Sequence, residues 1–377
     1  MASFSLLLFL FITITFTFIS TSLQTPNIGI TINHIPPSTT PEQIAAIINR
    51  HNITSVRLTN PNPNLIRAFS YSSVSLLLSI PNSFVSSLAS NRSNAVVWVY
   101  TNVIPFYPRA NITTISVGTD ILTFPSDLSD DLLPAIRNIH LVLHQVGISK
   151  ISVSSTFSLI PLITSAFPPS TAEFSEPAID VVIKPLLDFL EESNSSFLVN
   201  LYPCDLFGLN REIVLGFALF QEGPFLFMDD YTTGVRYRNL FDTMVDAVVS
   251  AMAVAGHENI PIIVTETGWP SSPGSDLKEE SYANQVFAQM YLKGLVDHLK
   301  FEGGATPLKK DGVSEVYIYE LFDKEITHNS SSMMQWGILY SNLTSKYKLD
   351  FSGYSRVSGC KGFLLNLAFS LLISTLL

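Results

Sequence analysis

The repeated alternation of short β-branched runs with longer helical stretches most constrains how this chain of 377 residues can fold. Such alternation is typical of βα units around a parallel sheet rather than of a β-sandwich. Eight runs have the character of strands: Ile28 to Ile32, Ser55 to Leu58, Ser75 to Ile80, Ile115 to Val117, Lys150 to Ser154, Phe197 to Leu201, Ile262 to Thr265 and Val316 to Tyr319. Helical stretches lie between them, among them Pro41 to Asn49, Asp130 to Gln145, Ala178 to Glu191, Leu240 to Ala255 and Ser281 to Leu299. Eight such units predict an α/β fold, a single (β/α)8 TIM barrel.

Polar residues that directly follow the strands of such a barrel line its mouth, where its chemistry takes place. The strongest example is the buried-type strand that begins at Ile262 and ends in the carboxylate of Glu266. Gly268 permits a tight backbone path after it, and we expect Trp269 to offer a flat apolar face to a sugar ring. The alternative is that Glu266 pairs with an arginine at a strand end.

Composition narrows the classes of ligand. The net charge is −10 and the isoelectric point is near 5.1, whereas nucleic-acid binding needs a basic surface that displaces counterions from phosphate. A neutral ligand fits better. Two cysteines, Cys204 and Cys360, are too few for a disulfide framework or a four-ligand zinc site, and we expect neither a metal nor another cofactor. No internal repeat or flexible linker indicates a second domain.

The amino terminus has the pattern of a secretory signal. An apolar, Thr-rich run extends from Phe4 to Ile19 and is followed by the small residues Ser20 to Ser22. This pattern predicts a signal peptide over residues 1–22. No Lys or Arg precedes the apolar run, so an uncleaved amino-terminal anchor is the alternative.

The carboxyl terminus ends in a second apolar run, Phe363 to Leu377. It is shorter than the stretch of about 20 residues that a spanning helix needs. Small residues precede it at Ser352-Gly353 and at Ser358 to Cys360, as in a glycosylphosphatidylinositol attachment signal. We therefore expect a mature barrel of residues 23–351, removal of 352–377, and a lipid anchor at the outer face of the plasma membrane beside the cell wall. A tail anchor or a buried helix is the alternative.

Acceptor sites for N-linked glycans are consistent with an extracellular protein. Sequons of the N-x-Ser/Thr type occur at Asn52, Asn91, Asn111, Asn194, Asn329 and Asn342. Such triplets also arise by chance in sequence rich in serine and asparagine. They indicate an extracellular surface only in combination with the predicted signal peptide.

Several motifs occur along the middle of the chain: Thr265 to Ser271, Val56-Arg57-Leu58, Leu132 to Ala135, Val153-Ser154-Ser155, Pro168-Pro169-Ser170, Val199-Asn200, Tyr202-Pro203, Tyr237 to Asp242 and Gly303 to Leu308. Together they resemble the plant endo-1,3-β-glucanases of glycoside hydrolase family 17, in which the first run looks like the family signature. The resemblance implies hydrolysis of β-1,3-glucan, a callose-type polymer, with retention of configuration. It gives Glu266 the role of nucleophile and makes Asn200 and Tyr202 sugar contacts. We expect a monomer.

The chain departs from the family pattern at four places around the expected cleft. Where the family has Val-Gly-Asn-Glu, with Glu as acid/base, this chain has Val117 to Asp120, which makes Asp120 the candidate acid/base. The family's Leu-Phe-Asn-Glu becomes Leu321 to Lys324, so a cation replaces a carboxylate. The family's Asn-Tyr-Gly becomes Thr31-Ile32-Asn33, and Cys204 stands where the family has an aromatic residue.

These departures leave two functions open. A retaining glycosidase needs two carboxyl groups about 5 to 5.5 Å apart, and an error of about 1 Å can cost about 100-fold in rate. Asp is shorter than Glu and has a lower reference pKa, and an inward Lys324 would further favour its ionised form. The chain is therefore either a hydrolase with a weakened acid/base or a β-1,3-glucan-binding wall protein that has lost its chemistry. The intact Glu266 signature favours the hydrolase.

Other polar residues have structural explanations. His140 lies within an apolar helical stretch, and Asp242 and Asp246 are one helical turn apart and fit capping or pairing. We expect Cys204 to be a small buried apolar residue. Glu325 follows Lys324 and could supply the missing carboxylate only if the loop changes register.

Overall fold

A closed barrel of eight parallel strands forms the protein, as predicted from the sequence. The computed structural model describes residues 26–123, 128–273, 282–325 and 334–352. The barrel strands are β1 (Asn27–Ile32), β2 (Ser55–Leu58), β3 (Ser75–Ile80), β4 (Asn111–Thr119), β5 (Ser152–Ser158) and β6 (Phe197–Asn200), followed by β9 (Ile262–Thr267) and β10 (Glu315–Ile318). An antiparallel hairpin, β7 (Met228–Asp230) and β8 (Val235–Tyr237), lies between the sixth and seventh barrel strands. Strand order around the barrel follows the chain, and β10 closes on β1.

Helices cover the outside of the barrel between successive strands. They are α1 (Pro41–Arg50), α2 (Pro63–Ala68), α3 (Val85–Ser90), α4 (Arg92–Asn102), α5 (Ser129–Gln145), α6 (Leu159–Leu162), α7 (Lys184–Glu192), α8 (Pro203–Leu209), α9 (Leu215–Ala218), α10 (Leu240–Val254) and α11 (Gln285–Phe301). Polar side chains cap the amino termini of helices, as sequence rules for helix starts predict. Thr40 forms a capping box with Gln43 at α1, and Asn239 caps α10.

Two strands are longer than the hydrophobic pattern indicates. β4 begins at Asn111 rather than Ile115, and β5 continues to Ser158 rather than ending at Ser154. The added residues are mostly serine and threonine, whose small hydroxyls pair inside the sheet. The hydroxyls of Ser116 and Thr156, for example, lie 2.9 Å apart. Polar hydroxyl residues interrupt an apolar pattern without interrupting a strand.

The core has two layers, one inside the barrel and one between strands and helices. Leu77, Leu198, Ile263 and Tyr317 fill the inside. Gly29 on β1 makes room for the Tyr317 ring, because a Cβ atom there would lie 2.5 Å from that ring. Aliphatic residues of strands and helices form the outer layer. Both layers are needed to hold the strand ends in fixed positions.

A buried polar cluster joins α10 to α11. His298 Nε2 lies 2.9 Å from Asp242 Oδ1, and His298 Nδ1 lies 2.9 Å from Glu302 Oε2. Burial alone would lower the pKa of His298, but its hydrogen bonds to Asp242 and Glu302 and their charges outweigh burial and raise the pKa to about 10. Asp246 accepts hydrogen bonds from Thr306 and from the Leu308 amide. Asp242 and Asp246 therefore each have structural partners: His298 for Asp242, and Thr306 with the Leu308 amide for Asp246.

The described chain ends packed against the barrel. Phe351 is buried, and Lys300 Nζ lies 3.1 Å from Asp350 Oδ2. Within the described ranges, no helix has the length and apolarity that crossing a bilayer requires. The expected signal peptide and the attachment signal after Ser352 lie outside these ranges.

Candidate active site

Glu266 lies near the carboxyl end of β9, in the mouth of the barrel. Every residue of this strand is buried, and Glu266 itself is 9% exposed. Its Oε1 accepts a hydrogen bond from Arg57, and its Oε2 accepts one from the Tyr202 hydroxyl. Both carboxylate oxygens are therefore held by donors from other strand ends.

Arg57 reaches Glu266 from β2, three strands away around the barrel. Its side chain is 1% exposed, so its charge is balanced by Glu266 rather than by water. The alternative stated for Glu266, pairing with an arginine at a strand end, is thus correct. It does not exclude a catalytic role, because the pair lies where barrel enzymes carry out their chemistry.

Asp120 follows β4 at the same end of the barrel. Gly118 and Asp120 both have positive φ, 72° and 54°, so the backbone turns sharply here. Asn82, just after β3, fixes the turn: its Oδ1 accepts from Thr119 N at 2.8 Å and its Nδ2 donates to Thr119 O at 2.9 Å. The Asp120 amide donates to Thr156 O at 2.9 Å. The short acid is thus carried on a well-bonded turn.

The surroundings of Asp120 favour its protonated form. Burial raises the pKa of Asp120, and the negative charge of Glu266 raises it further. Hydrogen bonds from Ser158 and the charge of Arg57 act in the opposite direction but do not cancel the rise. The two carboxyl groups therefore interact electrostatically across the mouth. The environment of Asp120 therefore acts against the lower reference pKa of Asp.

A third carboxyl group, Glu320, was missed by sequence reasoning. It follows β10, is 1% exposed, and neither carboxyl oxygen has a hydrogen-bond partner among the described residues. Burial raises the pKa of Glu320 to about 8 against an opposing effect of Lys324, and the charges of Glu266 and Asp323 also raise it. Glu320 is therefore neutral at neutral pH and sits close enough to sense the charge of Glu266.

Lys324 acts electrostatically on Glu320, the third carboxyl group. The charge of Lys324 lowers the pKa of Glu320. Asp323, next to it, forms an ion pair with Lys346, whose Nζ lies 2.9 Å from both carboxylate oxygens. Glu325 is exposed, so the carboxyl group that the structure adds near this strand end is Glu320 and not Glu325.

Aromatic side chains form one wall beside Glu266. Trp336 lies 5.3 Å from the ring of Tyr202 and 5.8 Å from the ring of Tyr319, measured between centroids. Tyr319 accepts a hydrogen bond from Asn33 at 3.0 Å. The segment that carries Trp336 is tied to the loop after Glu266, because Ser271 N donates to Gln335 O at 2.7 Å. These rings border the nucleophile position.

The expectation that Trp269 offers a face to a sugar is wrong. Its side chain is 1% exposed, and its Nε1 donates to Tyr282 O at 2.9 Å. Tyr291 packs against it at a centroid distance of 5.8 Å. The chain turns inward after Glu266, so Trp269 supports the loop from the core. Trp336 occupies the position at the site that was expected for Trp269.

Among the other residues considered from the sequence, Asn200 lies beside Glu266, whereas Cys204 and His140 are packed within the fold. Asn200 is buried at the end of β6, pairs in register with Glu266, and accepts from the Thr265 hydroxyl at 2.8 Å. Cys204 is buried, and burial raises the pKa of its thiol well above the usual value. His140 packs on His144 and Phe189 in the helical layer.

The sequons lie on the surface wherever the structure describes them. Asn52, Asn91, Asn111, Asn194 and Asn342 are exposed, whereas Asn329 lies outside the described residues. Among the described residues, no group of His, Cys, Asp and Glu side chains is arranged to hold a metal ion.

Comparison with known proteins identifies the relatives of this chain. Residues 26–351 match the family model for glycosyl hydrolases family 17. Glucan endo-1,3-beta-glucosidase 12 of Arabidopsis thaliana is 35% identical over 315 residues, which is 83% of this chain and 58% of that protein. Glucan endo-1,3-beta-glucosidase 2 of the same plant is 37% identical over 326 residues, 86% of this chain and 63% of that protein. The chain thus spans about three fifths of these relatives' length.

The fold has close counterparts among solved structures. A beta-1,3-glucanase and allergen of Cryptomeria japonica pollen superposes with a TM-score of 0.77 at 32% identity. The match covers 86% of this chain and 99% of that chain. The barrel is therefore shared over nearly its whole length.

Glu320→Gln is expected to remove a pH dependence of stability. The pKa of Glu320 rises from 4.5 in its ordinary state to about 8 in the folded protein. Below pH 4.5 both the folded and the unfolded protein hold the proton on Glu320. Between the two values only the folded state keeps it, so the free energy of unfolding falls as pH rises, by about 1.4 kcal/mol per pH unit. Urea unfolding should show the variant more stable than the parent at about pH 8 and equal to it near pH 4.5.

Glu258→Gln, at an exposed carboxyl group, is the matched control and should follow the parent at every pH. Parallel curves for the parent and Glu320→Gln would contradict the assignment of a proton to Glu320.

Proposed function

The chain belongs to glycoside hydrolase family 17, and on that premise we propose that it hydrolyses internal bonds of β-1,3-glucan with retention of configuration. The observation that carries the proposal is the pair of carboxyl groups at one end of the barrel, Glu266 paired with the buried cation Arg57 and Asp120 with a raised pKa. Two carboxyl groups at one site, one to attack the anomeric carbon and one to transfer a proton, are what a retaining glycosidase requires.

Glu266 is the proposed nucleophile. Its contacts with Arg57 and Tyr202 fix both carboxylate oxygens, so little ordering is needed before attack. Burial and the charge of Glu266 raise the pKa of the Tyr202 hydroxyl well above its usual value, so Tyr202 keeps its proton and donates. The arrangement presents a positioned carboxylate to the anomeric carbon.

Asp120 is the proposed acid/base. It first gives its proton to the glycosidic oxygen while Glu266 bonds to the anomeric carbon and the leaving sugar departs. Asp120, now ionised, then takes a proton from water, which attacks the anomeric carbon and releases Glu266. Its partial burial suits the first step because it favours the protonated acid.

The wall formed by Tyr202, Tyr319 and Trp336 is the proposed sugar contact, in place of Trp269. Aromatic faces suit the apolar face of a pyranose ring, and the tyrosine hydroxyls add polar groups at its edge. Asn200 lies beside Glu266 in the sheet register and is the proposed amide contact.

The structure supports hydrolysis over the glucan-binding alternative. That alternative rests on the shortened acid, on Lys324 and on the missing aromatic at Ile32. The raised pKa of Asp120 favours the protonated acid, although it does not restore the lost reach. Lys324 acts on Glu320, and Tyr319 with Trp336 supplies aromatic surface near the third. We therefore keep a monomeric hydrolase as the proposal.

Asp120→Glu is expected to raise hydrolysis by about 10- to 100-fold, because the longer side chain restores reach to the leaving oxygen. The assay is reducing-sugar release from a soluble β-1,3-glucan. Glu266→Gln should abolish activity in both the parent and the Asp120→Glu background, since a genuine gain must depend on the nucleophile. A rate unchanged by Asp120→Glu, with glucan binding retained, would instead support the binding protein.

Retention at the cell surface by a lipid is the second part of the proposal. It rests on the two terminal apolar runs, Phe4 to Ile19 and Phe363 to Leu377. The extent of the family match supports it, because the match ends at residue 351, just before the small residues of the attachment signal begin. An extracellular enzyme would meet wall glucan directly.

A phosphatidylinositol-specific phospholipase should release the protein from membranes of producing cells, as measured by immunoblot of the soluble fraction. Replacing the tail with a stop after Phe351 is the matched control and should give protein that is soluble before treatment. Mass spectrometry that finds Phe363 to Leu377 in the mature membrane-bound protein would refute the anchor.

A further inference from the structure

A cavity of about 440 Å³ lies between the segments that follow two barrel strands and two helices. Asn60 and Pro61 line it just after β2, Pro81 lines it just after β3, and residues of α3 and α4 complete it. Its volume is within the range of about 300 to 1,000 Å³ typical of small-molecule sites. The catalytic mechanism makes no use of this cavity.

The lining of the cavity suits a neutral sugar. None of its lining residues is charged. Phe84 is 47% exposed and Trp98 lies deeper, at 7% exposure, so aromatic surface is present. Asn94 Nδ2 donates to Ser87 O at 2.9 Å, and Asn102 Nδ2 donates to Trp98 O at 3.0 Å, which fixes both carboxamides. Aromatic faces with fixed, uncharged amides match the apolar faces and hydroxyl edges of a pyranose.

The position of the cavity connects it with the proposed glucan cleft. β3 pairs with β4, so Pro81 and Asp120 follow neighbouring strands at the same end of the barrel. Asn82 joins the two directly, since it forms both hydrogen bonds to Thr119 and begins the short helical turn that ends at Phe84. The turn that fixes the acid/base thus also contributes Phe84 to the wall of the cavity.

We propose that this cavity is a distal subsite that binds a glucosyl unit of the same β-1,3-glucan chain that is cleaved between Glu266 and Asp120. This inference rests on the proposed function, because a polymer held at the carboxylates extends along the barrel mouth. Occupancy adds affinity for long chains and none for chains too short to reach from the carboxylates to Phe84.

Phe84→Ala tests the subsite, because the ring is half-exposed and its loss leaves the core intact. For a β-1,3-gluco-oligosaccharide heptamer, we expect kcat/KM to fall about tenfold through KM, which corresponds to about 1.4 kcal/mol. For the trimer, kcat/KM should not change. Phe84→Tyr keeps the ring and should retain the parent values. Phe301→Ala is the matched control, because Phe301 is 51% exposed and lies at the other end of the barrel, before β10.

A binding measurement separates this inference from the proposed function. Calorimetry of heptamer binding to the Glu266→Gln protein, with and without Phe84→Ala, does not depend on hydrolysis. If the parent hydrolyses neither oligomer but Phe84→Ala weakens heptamer binding, the proposed function fails and the subsite stands. Equal heptamer affinity with and without the Phe84 ring, in proteins of equal thermal stability, would overturn the subsite even if hydrolysis is rapid.

Discussion

The ion pair between Arg57 and Glu266 is the interaction on which the barrel mouth depends. Removing two charges from water costs several kcal/mol for each ion, and the pair compensates only if its geometry holds. Here the partners come from β2 and β9, so the closed barrel itself fixes their separation. Truncating either partner would leave a buried charge, a loss of about 3 to 5 kcal/mol, so catalytic and structural roles cannot be separated by deleting the side chain.

The pair also sets the electrostatic environment of the other carboxyl groups in the site. Glu266 faces a cation and a tyrosine donor, whereas Asp120 and Glu320 are buried in range of the negative charge of Glu266. Their pKa values are raised, so one group is suited to attack and another to give a proton. At Asp120 the environment thus favours protonation of the acid, whereas the reach lost with the shorter side chain is unchanged.

The eight strands and the position of Glu266 could be predicted from the sequence because both depend on local patterns. A buried β-branched run predicts its own strand, and its last carboxylate must face the mouth of a parallel barrel. Arg57 could not be assigned as the partner of Glu266, since the contact spans 209 positions of the chain. Its motif Val56-Arg57-Leu58 was visible, but a motif does not specify which strand end it faces.

The errors have the same physical origin. Trp269 follows the catalytic strand, yet the path of the backbone after Glu266 decides whether it faces solvent or core, and the strand period does not extend into that loop. Trp336 comes from a segment with no strand of its own, and tertiary packing alone brings it to Tyr202. Glu320 could not be recognised from the sequence because it precedes the family-like motif Leu321 to Lys324, and only the fold shows that its carboxyl group is buried near Glu266.

Covalent trapping tests the central claim, that Glu266 attacks the sugar, most directly. A 2-deoxy-2-fluoro-β-glucoside with a leaving group that needs no protonation should form a stable ester even if Asp120 is a weak acid, because only the nucleophile must act. Peptide mass spectrometry of the trapped protein should place the adduct on Glu266. An adduct on Asp120 or Glu320, or turnover of the reagent with no adduct at any time, would contradict the account.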